Sequence, residues 1–188
     1  KHNIFDPNTI LIVIVAQLIP RKGHILLLDA LSDIKKINNN VRLFIYGRGY
    51  LKETIREYID KNNLQEHVYL KGFLSEIRSV LHCFDFLVHP AQKEGLGIAL
   101  LEAAAFGKPM ISCNIGTGTS FVNIHNETGL VIKPNSALEI RKAMNFIISN
   151  PDISKSMALN SKKRYLNLFT AEKQAKNYLE IYKEIFCA

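Results

Sequence analysis

Short apolar runs alternate with longer segments of helical period along the first 150 residues of the chain. Most of the runs are apolar at every position and rich in β-branched residues, which is typical of strands that a parallel sheet buries on both faces. Six runs predict strands, at Ile10–Ala16, Val41–Tyr46, Val68–Leu70, Phe86–His89, Met110–Cys113 and Leu130–Ile132. Five segments that follow strands predict helices, at His24–Ile37, Leu51–Lys61, Ser75–His82, Gly97–Ala105 and Leu138–Ser149. The alternation predicts an α/β fold, a Rossmann-like doubly wound parallel sheet of about six strands with helices on both faces.

The end of the chain has a different pattern, without strand signals. Two helices are predicted there, near Ile153–Asn167 and Ala171–Phe186. Apolar residues at helical spacing form one face of the second helix, so we expect that face to pack on its own domain. They are Ala175, Tyr178, Leu179, Tyr182, Ile185 and Phe186. We therefore expect the whole chain to be a single domain, with a Rossmann-like core over 1–150 and C-terminal helices over 151–188.

Composition narrows the class of protein. The chain has 188 residues, 47% hydrophobic and 22% charged, an ordinary balance for a globular domain with one core. Three cysteines without a CxxC pair, and six histidines without an HExxH pattern, predict neither a disulfide framework nor a metal site. This cysteine usage fits a cytoplasmic protein. The first residues, Lys1-His2-Asn3, lack an initiator methionine, so we expect a fragment without its partner domain.

The formal net charge of +7 suits nucleic acid, an anionic membrane surface or an acidic small molecule as a partner. Basic residues are spread from Arg21 to Lys183, without an aromatic-interleaved stripe or a recognition-helix pattern. This distribution favours a solvated basic surface, and we expect no nucleic acid partner. Peripheral contact with an anionic membrane stays open, because each nearby Lys or Arg adds about 1 kcal/mol of attraction.

Chemistry is expected in the loops after the strands, because ligands of open parallel sheets bind beyond the carboxyl ends of the strands. The richest loop lies in residues 89–109, where a strand, a glycine turn and a helix follow one another. Gly95 and Gly97 remove side chains where a backbone would approach a ligand closely. The backbone N–H groups of Leu96, Gly97 and Ile98 then open the helix, whose positive end favours an anion. The segment predicts a phosphate site.

Two glutamates flank this glycine turn. Glu94 precedes it, and Glu102 lies about one and a half turns into the helix, where its carboxylate can accept hydrogen bonds from a vicinal diol such as ribose. A purely structural interpretation explains each residue alone: Glu94 favours the helix start, Glu102 is solvated and the glycines form a turn. Glu102 is flanked by apolar residues, however, which is unusual for a carboxylate without a partner. The combined pattern favours a functional site.

The segment from Glu94 to Glu102 resembles the E-x7-E motif of retaining, family 4 glycosyltransferases of the GT-B fold. Neighbouring residues are similar to the family motifs E-G-F-G, E-A-M-A-x-G-x-P and E-T-G-L-V, and they stand at 94–97, 102–109 and 127–131. The resemblance covers nearly the whole chain, beginning at residues 15–23, which match the family's opening strand, G-R-L loop and K-G helix start. It implies the C-terminal, donor-binding domain of such an enzyme, which is one half of a GT-B fold.

The same resemblance implies catalytic roles. Lys22 is expected to reach the donor diphosphate, and Glu94 to orient the hydroxyls of the sugar. Ala16-Gln17 stands where the family usually has Gly-Arg, so one of two customary phosphate-binding cations is absent from its usual place. We expect Arg21 to supply the second cation through its guanidinium fork. The alternative is that Arg21 and Lys22 are both solvated residues at a helix entry.

Two further loops match positions that contact the nucleotide base in the family, at Gly47-Arg48-Gly49 and Gly72-Phe73-Leu74. Tight turns explain both loops equally well. Residues 115–123, IGTGTSFVN, look like the version found in mannosyl- and D-rhamnosyl-transferases of surface polysaccharide synthesis. This likeness favours a GDP-sugar as the donor.

The resemblance implies transfer of a hexose from a nucleoside-diphosphate sugar, with retention, to a glycan or lipid-linked acceptor held by an N-terminal domain. It implies no metal and no cofactor, because Lys22, Arg21 and the helix start stabilise the departing diphosphate. We expect the isolated domain to bind donor but to transfer little, and the full enzyme to be cytoplasmic, with peripheral contact at the inner face of the membrane. Two alternatives stay open, namely a non-catalytic nucleotide-sugar-binding module, which Gln17 favours, and half of a GT-B-like sugar-nucleotide epimerase.

Overall fold

The structure, a computed structural model, describes residues 5–186 and contains a six-stranded parallel sheet. The strands are β1 Ile10–Val15, β2 Val41–Tyr46, β3 Val68–Gly72, β4 Phe86–His89, β5 Met110–Cys113 and β6 Gly129–Ile132. The helices are α1 His24–Ile34, α2 Lys52–Lys61, α3 Arg78–Leu81, α4 Ile98–Ala105, α5 Thr119–Val122, α6 Ala137–Ser149, α7 Pro151–Leu168 and α8 Ala171–Phe186. The prediction of a Rossmann-like α/β sheet is confirmed.

Strand β1 is apolar at every position because both of its faces are buried. Leu11 and Val13 contribute to the core on one face of the sheet, whereas Ile12 and Ile14 contribute to the core on the other. Alternate side chains of a strand point to opposite faces, so a strand covered on both sides has no polar face. Helices α1, α2 and α6 cover one face, and α3, α4 and α5 cover the other.

The strand order across the sheet is β3-β2-β1-β4-β5-β6, with every neighbouring pair parallel. Strand β1 pairs with β2 on one side and with β4 on the other, so the chain reverses its direction of travel across the sheet between β1 and β4. Ligands of doubly wound sheets bind in the crevice that this reversal opens. The loops after β1 and β4 therefore define where a site is expected.

Several predicted helix bounds differ from the structure by up to three residues, and the two larger differences concern short helices. The segment predicted as a helix over Ser75–His82 is helical only at Arg78–Leu81, and the short helix Thr119–Val122 was not predicted at all. Both helices have four residues, which is too short for a 3.6-residue hydrophobic period to be visible in the sequence.

The last helix corrects a further expectation. Helix α7 packs against α4 and α6, but α8 has no buried residue within Ala171–Phe186. Tyr178 and Leu179 on its apolar face are 56% and 59% exposed, so the expectation that this face packs on its own domain is wrong. Hydrophobic period predicts that a helix is amphipathic, but it does not say which surface covers the apolar face. Within residues 5–186, no helix has both the length and the apolar character needed to cross a bilayer.

Candidate functional site

A cleft of about 560 Å³ opens at the carboxyl ends of β1 and β4, where the sheet topology predicts a ligand site. The loops after β1 to β4 and the first turns of α4 enclose it. The structure brings together in its lining many of the residues predicted for the site, which are Gln17, Lys22, Gly47, Phe73, Glu94, Ile98 and Glu102.

The loops after β1 and β4 touch each other at one side of the cleft. Gly23 follows a short turn of 3-10 helix, Pro20–Lys22, and has a left-handed φ of 74°. A Cβ at Gly23 would lie 2.5 Å from the carbonyl oxygen of Pro90, so the two loops can approach this closely only with glycine there. The backbone N–H of Gln92 donates to the carbonyl of Arg21 at 2.8 Å. These contacts place the charged side chains of the two loops against each other.

Three groups lie against the carboxylate of Glu94, and two of them form hydrogen bonds with it. Nζ of Lys22 lies 2.6 Å from Oε2, and Nε2 of His89 lies 3.2 Å from the same oxygen. The backbone N–H of Gly95 donates to Oε1 at 3.1 Å. The side chains of Lys22 and Glu94 are only 10% and 22% exposed, and that of His89 is 4% exposed, so solvent screens these contacts weakly.

The surroundings of Glu94 keep it ionised. Contact with His89 and then with the Lys22 ammonium holds the pKa of Glu94 well below its usual range, although burial acts in the opposite direction. Nε2 of His89 is buried and lies within hydrogen-bond distance of Oε2, but it is not aligned with that oxygen and forms no hydrogen bond within residues 5–186.

A second histidine of the cluster carries no charge at neutral pH. His24 begins α1, is 1% exposed, and has no hydrogen-bond partner at either ring nitrogen within the described chain. Burial, followed by the charges of His89 and Lys22, lowers the pKa of His24 to about 4. Because His24 is neutral, it adds no positive charge, and the cation that balances the Glu94 carboxylate is Lys22.

The glycine turn after Glu94 ends at the start of α4. Gly97 precedes the helix with a left-handed φ of 80°, and a Cβ there would lie 3.0 Å from the Leu100 side chain. A Cβ on Gly95 would meet nothing within 4 Å, so the backbone of that residue is open to a ligand. The first N–H groups of a helix have no acceptor inside it and suit an anion. The Leu96 side chain does not line the cleft. It lines a separate groove with Phe121 and part of α8.

Glu102 presents an available acceptor on the next turns of α4. Its side chain is half-buried and lines the cleft, and within residues 5–186 no hydrogen bond to its carboxylate is found. Burial raises the pKa of Glu102, with Arg78 opposing this effect and Glu76 adding to it. A ligand hydroxyl that donates to this carboxylate would offset the unfavourable burial of its charge.

The opposite end of the cleft is formed by the loops after β2 and β3. Gly47 and Arg48 line it from the first loop, and Phe73 lines it from the second, directly after Gly72 ends β3. The Arg48 guanidinium carbon lies 4.7 Å from the centre of the Phe73 ring, which is 63% exposed. Such an exposed planar pair offers a stacking surface for an aromatic ligand group.

The structure does not bring Arg21 into the cleft. Arg21 is exposed and is not part of the lining, whereas Gln17 is part of it. Within the lining, the Lys and Arg side chains are those of Lys22 and Arg48. The role of Arg21 as a second phosphate-binding cation stays a prediction.

Sequence reasoning missed His89 and His24 as members of the cluster. His89 ends a buried strand five residues before Glu94, so its position at a carboxyl end was a usable signal. No sequence signal identifies His24, because a single histidine at the start of an apolar helix is indistinguishable from a core residue. Among residues 5–186, no group of three His, Cys, Asp or Glu side chains is placed to hold a metal ion.

The sequence matches the family model of glycosyl transferases group 1 over residues 1–164. It is 37% identical over 153 residues to the D-rhamnosyltransferase WbpZ of Pseudomonas aeruginosa, a match that covers 80% of this chain and 39% of that protein. It is 34% identical over 164 residues to the O-antigen chain mannosyltransferase C of Escherichia coli, covering 86% of this chain and 43% of that protein. The chain thus spans less than half the length of these two relatives.

The fold is also similar to solved structures. One is Anabaena Alr3699/HepE in complex with UDP, which superimposes with a TM-score of 0.86 over 94% of this chain and 49% of that one. The two sequences are 21% identical, so this likeness concerns the fold alone.

Proposed function

This chain belongs to the family of glycosyl transferases group 1, and from that premise we propose that it is the donor-binding domain of a retaining hexosyltransferase. The donor is a nucleoside-diphosphate sugar, with a GDP-sugar favoured. The acceptor is a glycan or a lipid-linked glycan, held by a further domain of the full-length enzyme. The observation that carries the proposal is the cluster of Lys22, His89 and Glu94 beside the start of α4, in the cleft at the strand-order reversal.

The two ends of the cleft suit different parts of such a donor. The phosphate end consists of Lys22, His89, Glu94 and the first N–H groups of α4. There the Lys22 ammonium and the helix start bind the diphosphate, and their positive charge stabilises it as it departs with growing negative charge. Glu94 accepts hydrogen bonds from hydroxyls of the sugar.

The nucleoside end consists of Gly47, Arg48, Phe73 and Glu102. The half-buried carboxylate of Glu102 accepts hydrogen bonds from the ribose diol, and the base lies near the Arg48–Phe73 pair. The preference for guanine over other bases is supported by the likeness of residues 115–123 to the corresponding segment of mannosyl- and D-rhamnosyl-transferases.

Calorimetric titration of GDP, UDP and ADP into the chain tests this function. We expect one of them to bind, and Glu102→Ala to weaken that binding roughly tenfold, as for the loss of hydrogen bonds to a charged group. A matched control is Glu57→Ala, which removes an exposed carboxylate from α2, away from the cleft. Unchanged affinity in Glu102→Ala would remove Glu102 from the site, and binding of none of the three nucleotides would contradict the proposed function.

A second function, a nucleotide-sugar-binding module without turnover, is favoured by one observation. Gln17 lines the cleft where a cation is customary, and Arg21 lies outside the lining. Incubation of the full-length protein with radiolabelled GDP-mannose or UDP-glucose and a glycan acceptor separates the two. Labelled acceptor supports the transferase, whereas tight donor binding without transfer or hydrolysis supports the module.

A further inference from the structure

The proposed function uses Lys22 and Glu94 for different parts of the donor, yet in the structure these two side chains bond to each other. Nζ of Lys22 lies 2.6 Å from Oε2 of Glu94. When the ammonium turns towards a diphosphate, its share in holding this oxygen weakens, because the phosphate oxygens compete for the same three N–H donors. Another group must then keep the carboxylate facing the sugar.

His89 is placed to be that group. Its Nε2 lies 3.2 Å from Oε2 of Glu94, the oxygen that Lys22 also contacts, but it is buried and forms no hydrogen bond within the described chain, so this nitrogen is free to donate to the carboxylate after a small rotation. The backbone N–H of Gly95 holds only the other oxygen, Oε1. In the tautomer with its proton on Nε2, the ring donates to the carboxylate without needing a charge.

His89 and Lys22 differ in how firmly the fold fixes the direction of their side chains. His89 is the last residue of β4, pairs in register with Ser112 of β5, and has a side chain that is 4% exposed. Lys22 reaches Glu94 through four methylene groups from a loop turn, with many more accessible rotamers. The strand therefore sets the direction of the ring, whereas the lysine has more torsions through which its ammonium can be redirected towards a phosphate.

We propose that His89 is a positioning residue of this site, which donates from Nε2 to Glu94 and keeps that carboxylate directed at the donor sugar while Lys22 binds the diphosphate. This inference rests on the proposed function. His89 itself contacts neither phosphate nor base in this scheme, so its removal should affect recognition of the sugar and leave recognition of the nucleotide intact.

Calorimetry on the whole chain with GDP and GDP-mannose tests the inference, with UDP and UDP-glucose as the alternative pair. We expect His89→Leu to weaken binding of the nucleotide sugar roughly tenfold, a magnitude typical for one hydrogen bond to a charged group. Binding of the bare diphosphate should change less than about twofold, which also shows that the variant is folded. His89→Gln, whose amide N–H can replace Nε2–H, should recover most of the affinity.

A double-mutant cycle separates positioning from a merely structural role. In a Glu94→Gln background, His89→Leu should have no further effect on nucleotide-sugar binding, because there is no carboxylate left to orient. Equal losses of GDP and GDP-mannose affinity in His89→Leu, or additive losses in the double variant, would overturn the inference while leaving the proposed function in place. If the wild-type chain binds neither nucleotide nor nucleotide sugar, both proposals fail together.

A measurement on the wild-type chain covers the case in which His89→Leu does not fold. In a crystal structure with GDP-mannose, we expect Lys22 on the diphosphate and Nε2 of His89 at about 2.8–3.0 Å from Oε2 of Glu94. A carboxylate turned away from His89 in that complex would overturn the inference.

Discussion

The two ends of the cleft differ in how far their polar groups are already engaged. At the phosphate end, Lys22, His89 and Glu94 are mostly buried, and the first two both contact Glu94. At the nucleoside end, Arg48 and Phe73 are exposed and the Glu102 carboxylate accepts no hydrogen bond from residues 5–186. The polar groups of the phosphate end are already in contact with other protein groups, whereas those of the nucleoside end are available to a ligand.

This difference indicates how selectivity is divided. Groups that are buried and mutually held keep their geometry, so a ligand placed there meets fixed donors and pays little for ordering them. Exposed groups adapt to the ligand and contribute less per contact. We therefore expect the loss of Lys22, the cation of the phosphate end, to weaken nucleotide binding more than substitutions at the nucleoside end.

The largest effect should come from Lys22→Ala. It removes the cation expected at the diphosphate and leaves Glu94 with less compensation for its burial, so GDP affinity should fall roughly 100-fold, as for a charge-assisted contact. Binding of guanosine, followed by ligand-observed NMR, should change little. Lys52→Ala, at the exposed start of α2, is the matched control. Equal losses for guanosine and GDP would contradict the division of the cleft.

The next effect concerns the glycine turn. Gly97→Ala places a Cβ on a residue with φ of 80° and 3.0 Å from Leu100, so we expect a loss of about 1–2 kcal/mol in the free energy of unfolding. GDP affinity should fall as well, because the start of α4 must shift. Gly95→Ala, where a Cβ meets nothing within 4 Å, should stay within about 0.5 kcal/mol of wild type. Urea unfolding compares the two variants, and equal stabilities would show that the turn is not constrained at Gly97.

A smaller effect is expected at Glu102. Its folded-state pKa is raised by burial, so the carboxylate takes up a proton at a pH above the ordinary glutamate value of about 4.3. The protonated form is a poorer acceptor for the ribose diol, so GDP affinity should fall as the pH is lowered through this raised pKa.

Glu102→Gln is the control for that pH dependence, because it carries no titrating carboxyl group at this position. The difference between wild type and this variant should disappear at low pH and be largest at neutral pH. Wild type should also bind 2′-deoxy-GDP more weakly than GDP, by about threefold to tenfold, and the difference should be smaller in the variant, whose neutral amide oxygen is a weaker acceptor than the carboxylate. A parallel pH profile in both proteins would exclude Glu102 as the ribose acceptor.

The smallest effect should come from Phe73→Leu. The ring is 63% exposed and faces the Arg48 guanidinium, so its replacement removes a stacking surface without opening the core. We expect GDP affinity to fall only about threefold, in keeping with an exposed cation–π contact of about 0.5–1 kcal/mol. A loss as large as that of Lys22→Ala would reverse the ranking of the two ends.

The fold was predictable because its signals are local and repeated. Strands β2, β4 and β5 were predicted with their observed bounds, since uniformly apolar runs bounded by turns leave few alternatives. The surroundings of α8 were not predictable. The sequence shows that one face of this helix is apolar, but it does not show that the face stays exposed in the structure. The four-residue helices are stabilised by their tertiary neighbours and leave no period to detect.

The site was predictable in its residues more than in their contacts. The spacing from Glu94 to Glu102 and the loop order placed these residues at one edge of the sheet, where the structure finds a cleft. The contact of Lys22 with Glu94 joins residues that are 72 positions apart, and its geometry depends on how Gly23 packs against Pro90. No pattern within one segment of sequence contains that information, which is also why His24 was missed.

The central claim is that the cleft between β1 and β4 holds a nucleoside diphosphate with its phosphates at Lys22 and the start of α4. A crystal structure of the chain soaked with GDP tests it most directly. We predict phosphate oxygens at about 3 Å from Nζ of Lys22 and from the N–H groups that open α4, with the ribose hydroxyls on Glu102. A nucleotide bound elsewhere, or bound here with its base against Lys22, would contradict the account.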